Sequence, residues 1–98
     1  MSTAAAREWS EFQVLQKSYL FKRKAELTDL FKALSENKLE IINKQVSLYL
    51  ENARMYDFLA IESQSRRVKE SLAESGSDLI WAELNKLDII VCDYLRQY

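Results

Sequence analysis

The chain contains no histidine. That removes histidine phosphotransfer, histidine-activated nucleophiles and nearly every zinc site from consideration. It contains no proline and a single glycine, Gly76. A β-rich fold needs a turn signal every few residues, so this scarcity points away from strands. It also leaves the chain with few punctuated breaks. Cys92 is the only cysteine, so no internal disulfide can form, and a reducing compartment is the natural setting. No apolar run approaches the ~20 residues that span a bilayer. The segment Met1-Ser2-Thr3-Ala4-Ala5-Ala6-Arg7 lacks the apolar centre of a signal peptide. The expected setting is therefore intracellular and cytoplasmic, with the nucleus also compatible.

Charge is nearly absent as a net quantity. A formal charge of −1 does not suit a dedicated nucleic-acid binder, whose affinity comes mostly from neutralising phosphates. The charge is unevenly spread, at +2 over residues 7–34 and −2 over residues 78–98. First and last segments of opposite sign suit side-by-side packing.

What is present is apolar and charged in helical proportion. Hydrophobic residues make up 48% and charged residues 30%, which is not the composition of a disordered chain. With 98 residues there is room for one domain, 1–98, and not two. Three helices are predicted, over about 4–34, 37–73 and 78–97.

The last of these has the most regular stripe. Ile80, Leu84, Leu87, Val91, Tyr94 and Tyr98 recur at alternating steps of four and three. Gly76 suits the position after a helix end, and Ser77 or Asp78 can cap the helix that follows. The middle segment carries two stripes. One is Leu39, Ile42, Val46, Tyr49, Ala53, Tyr56 and Ala60, and the other is Ile41, Leu48, Met55 and Leu59. The two lie about 100° apart on a helical wheel. A helix with two adjacent apolar faces has two neighbours, as the middle member of a three-helix bundle does. In the first segment Trp9, Phe12 and Tyr19 share a face, followed by Leu20, Leu27, Leu30, Phe31 and Leu34. The stripe shifts near Tyr19-Leu20, so either the helix bends there or its halves meet different neighbours.

The expected fold class is thus all-α, a three-helix bundle with long first and second helices and a turn at Ser35-Lys38. An alternative comes from the row Leu20, Leu27, Leu34, Ile41, Leu48 and Met55, spaced by seven, which crosses that turn. Such a row is the mark of a coiled coil and would give one elongated helix plus a shorter C-terminal one.

Catalytic, cofactor and metal sites are not expected. Cys92 lies beside Val91 on an apolar helix, the setting of a buried structural thiol. The acid pairs Glu36/Glu40 and Glu70/Glu74 read as solvated helix faces. Arg23, Arg54, Arg66 and Arg67 would have to converge to hold a dianion, and spacing alone does not bring them together. The basic clusters Lys22-Arg23-Lys24 and Arg66-Arg67-Lys69 have acids close by, at Glu26, Glu62 and Glu70.

The features point instead to a non-enzymatic helical protein-protein interaction module, a subunit or adaptor of a larger assembly. It would form a homo- or hetero-oligomer through helix packing. Tyrosine and tryptophan carry much of the energy at such interfaces. The residues expected to take part are Trp9, Phe12, Tyr19, Leu20, Leu27, Ile41, Leu48, Tyr49, Met55 and Tyr56. The alternative is a small inhibitor, immunity or chaperone-type protein that meets an enzyme or secreted partner with a charged face, here the acidic last helix.

Overall fold

A computed structural model describes residues 10–74 and 76–98. Among them are four α-helices and no strand: α1 (Glu11–Ser35), α2 (Leu39–Asn52), α3 (Leu59–Glu74) and α4 (Ser77–Leu95). A short 3-10 turn, Arg54–Tyr56, lies between α2 and α3.

Each boundary has a local cause. Ser10 caps α1: its hydroxyl accepts from the Gln13 amide at 3.1 Å, and the Gln13 side chain accepts from the Ser10 amide at 3.0 Å. This reciprocal pair satisfies two amides that helix geometry leaves without partners. At its other end α1 closes through Asn37, whose φ is 58°. The Lys38 amide donates to Ala33 O at 2.8 Å and the Asn37 amide to Leu34 O at 3.0 Å. That is a Schellman closure with asparagine in the left-handed position usually held by glycine.

The same device recurs one helix later. Asp57 has φ 63°, the Phe58 amide donates to Ala53 O at 3.0 Å and the Asp57 amide to Arg54 O at 3.0 Å. The segment expected as one helix over 37–73 is therefore two, and the three-helix bundle is replaced by four packed helices. The physical reason is Asp57: a short polar side chain tolerates the left-handed conformation, so the chain turns without proline or glycine. The continuous coiled-coil helix does not form either, because α1 stops at Ser35. Before α4, Gly76 is the capping position, with φ 119°, and Ser77 is already helical. The cap assigned to Ser77 or Asp78 thus moves back by one or two residues.

Successive helices run antiparallel, and the last returns to the first. Tyr19 meets Asn52 and Tyr49 meets Glu26 between α1 and α2. Lys69 donates to Ser47 between α3 and α2, and Gln64 donates to Glu83 between α3 and α4. Lys24 pairs with Asp88, and the Tyr98 hydroxyl donates to Gln16, closing α4 onto α1. The expected start of the first helix near residue 4 lies outside the described residues.

Inside this ring sit Leu20, Leu27 and Leu30 from α1, Ile42, Val46 and Tyr49 from α2, Ile61 and Val68 from α3, and Leu84, Leu87 and Val91 from α4. Each such aliphatic side chain contributes roughly 1.5–3 kcal/mol by leaving water. Tyr94 and Tyr98 are half-buried against this core. At the end of the bundle where α2 turns into α3, rings stack in series. Phe12 lies 6.4 Å from Tyr56, Tyr56 4.7 Å from Tyr19, Tyr19 5.7 Å from Phe58 and Phe58 4.6 Å from Tyr94. The early aromatics of α1 thus meet the 3-10 turn, whereas Lys24 and Phe31 further along meet α4. Both halves of α1 lie between α2 and the last segment, and the first half meets the 3-10 turn in addition.

Candidate interaction surface

The antiparallel pairing of α1 and α2 buries one stripe of α2 and leaves the other outside. Leu39, Ile42, Val46, Tyr49 and Ala53 face the core or its edge. The second stripe does not find a neighbour among the described residues. Ile41 is 46% exposed, Leu48 44% and Met55 69%, and Leu59 at the start of α3 is 60% exposed. Scattered apolar residues on a surface are ordinary, but an aligned row is not. Ile41, Leu48 and Met55 are spaced by seven, so they fall on one side of α2 and of the turn that continues it.

The seven-residue row is cut in two by the turn at Asn37. Leu20 and Leu27 lie in the core and Leu34 at its edge, while Ile41, Leu48 and Met55 face outward. Of the other residues expected at an interface, Tyr19 and Tyr49 are buried and Tyr56 is half-buried. Phe12 is 41% exposed and stacks on Tyr56. Trp9 lies outside the described residues.

Beside the apolar row, a polar network holds the α1–α2 seam. The Arg23 guanidinium lies 4.4 Å from the centre of the Tyr19 ring and 5.0 Å from that of Tyr49. Its Nε donates to Glu26 Oε1 at 2.7 Å and its Nη2 to Oε2 at 3.2 Å. The Tyr49 hydroxyl donates to the same carboxylate at 2.8 Å, and the Tyr19 hydroxyl donates to Asn52 Oδ1 at 2.6 Å. Burial pushes the Glu26 carboxyl up, but the bonds from Arg23 and Tyr49 outweigh it and hold the group below its ordinary range. Burial, and then the Glu26 carboxylate, push the Tyr49 phenol well above its usual value. Burial likewise raises Tyr19, against the opposing effect of Arg23.

Above this network is a half-open cleft of about 230 Å³ lined by Leu15, Ser18, Tyr19, Lys22, Arg23, Asn52, Met55 and Tyr56. Leu15, 53% exposed, extends the apolar row across the mouth of the cleft from Met55. Arg54, Arg66 and Arg67 are not in its lining. Arg54 pairs with the buried Glu62 at 3.1 Å, and Arg66 and Arg67 are exposed on α3. Cys92 is half-buried on α4. Leu15 is not marked out by the sequence, and Arg23 and Glu26 are marked there only as a basic cluster with an acid close by. The one available signal was the i, i+3 spacing of Arg23 and Glu26, which is common on any helix.

No protein-family model matches the sequence, and searches of curated proteins and of solved structures likewise return no match.

Proposed function

We propose that the chain is a non-enzymatic helical interaction module, a subunit or adaptor that binds another protein on the outer face of α2. The observation that carries this reading is the exposed row Ile41, Leu48 and Met55, flanked by Leu15. Leaving such a row in water forgoes burial that a docked helix would supply. The acids of α4 lend little to a charged-face reading, because all but Asp78 have partners at home. Asp88 pairs with Lys24, Glu83 with Lys86 and Asp93 with Arg96.

The reading is tested by photo-crosslinking in the cells that make the protein. A photoreactive amino acid in place of Leu48 is expected to give a discrete polypeptide adduct. The same group in place of the exposed Ser63, on α3, is expected to give none. No adduct at 48, or the same adducts at both positions, removes the proposal.

A further inference from the structure

The outer face of α2 has a symmetry that selects its partner. Leu48 is at the centre. Lys44 lies about one turn before it and Glu51 about one turn after. Ile41 and Met55 lie seven residues away on either side. Lys44 and Glu51 are both exposed, and among the described residues neither side chain forms an ion pair or hydrogen bond. A two-fold rotation through Leu48 exchanges the apolar ends and carries Lys44 onto the position facing Glu51. The face is therefore complementary to itself in the antiparallel sense. The parallel arrangement would set Lys44 against Lys44 and Glu51 against Glu51, which costs energy.

We propose that the occupant of this face is a second copy of the chain, paired antiparallel through α2 about Leu48. This rests on the reading of the row as a protein interface and names the partner. Leu48 packs on Leu48 of the second copy. Ile41 of each copy meets Met55 of the other, together with Leu15, which borders the same cleft as Met55. Lys44 pairs with Glu51 at both ends, as an isologous two-fold interface requires. The contact runs from Ile41 to Met55, about 21 Å at 1.5 Å per residue. One helix pair of that length is at the small end of specific interfaces, so the dimer dissociates on dilution.

The test is sedimentation equilibrium over a wide concentration range with four chains. The native chain is expected to pass from one to two copies as concentration rises. Leu48→Glu is expected to stay monomeric while keeping its helical signal and melting temperature. Lys44→Glu alone and Glu51→Lys alone are each expected to weaken the dimer about tenfold or more. An equimolar mixture of those two variants is expected to recover it, because both cross-contacts again join opposite charges. A native chain that is monomeric up to about millimolar concentration overturns the pairing. So does a dimer that neither single charge reversal weakens, since an antiparallel contact suffers from both and a parallel one from neither. A crosslinked adduct at position 48 with a different polypeptide would leave the interface reading standing while this inference failed.

Discussion

The Tyr49 hydroxyl donates to Glu26 Oε1 at 2.8 Å, on the same carboxylate oxygen that accepts from Arg23 Nε. A tyrosine of α2 and an arginine of α1 thus share one acid, and that acid fixes the separation of the two helices. Tyr49→Phe keeps the ring in the core and removes only the hydroxyl. It is expected to cost about 1–2 kcal/mol, since the bond is to a charged group that is partly solvated. Urea unfolding checks this.

The same network gives the fold a pH dependence with two arms. The Glu26 pKa is lower in the fold than in the unfolded chain, so its stabilisation is complete above the unfolded value of about 4.3. It is lost as pH falls through the lower folded value. Tyr49 shifts the opposite way, so its stabilisation is complete below the ordinary phenol value of about 10 and is lost as pH rises beyond it. In Tyr49→Phe the alkaline loss is expected to shrink, with Tyr19, Tyr98 and Lys24, all raised in the fold, supplying what remains. Thermal melts across the pH range read both arms.

The Ser65 hydroxyl is fully buried on α3 and has no hydrogen-bond partner among the described residues. A buried polar group in that state costs roughly 1–3 kcal/mol. Ser65→Ala removes it with little change in volume and also favours the helix. It is expected to raise stability by about 1 kcal/mol, or roughly 4–8 °C in melting temperature for a domain of this size. A variant that melts at or below the native temperature would show that the hydroxyl is satisfied.

Asn37 and Asp57 hold left-handed conformations that glycine adopts without strain. Asn37→Gly is expected to be neutral or to stabilise by up to about 1 kcal/mol. Asn52→Gly, at the last residue of α2, is expected to cost up to about 1 kcal/mol from the helix and more from the lost bond with Tyr19. Leu48→Pro, which breaks α2 itself, is expected to cost about 3 kcal/mol or more. Equal losses from glycine at 37 and at 52 would mean that the chain does not turn at Asn37.

Much of this architecture is legible in the apolar spacing. Ile80, Leu84, Leu87 and Val91 are all buried, as the stripe of the last helix implies, and the turn after Ser35 falls where cap residues gather. The break between Ala53 and Leu59 is not legible in the same way, because no glycine or proline marks it. Its trace is a change of phase. The buried set passes from Ile42, Val46, Tyr49 and Ala53 to Phe58, Ile61, Ser65 and Val68. That five-residue step from Ala53 to Phe58 is the turn. A stripe extended at helical spacing through Tyr56 and Ala60 misses it. The polar positions Glu62, Gln64 and Ser65 then look like a solvated face, although all three are buried in the packed bundle. The doubled stripe of α2 is real as a pattern, but only one of its faces is covered by the described residues. A sequence records that a face is apolar and not whether a neighbour exists to cover it.

The closure of α4 onto α1 has a consequence for how the protein comes into being. As the chain leaves the ribosome, α1 emerges before the other three helices, and α2 can fold back on one side of it at once. Its other flank, where Lys24 and Phe31 meet Asp88 and Trp81, stays open until residues 50 to 64 positions further along have been synthesised. For that interval a long, partly apolar helix is without its cover, and such surface is prone to stray association. The nascent chain is therefore at its most vulnerable in the interval when α1 to α3 are present and the helix that shuts the ring is not.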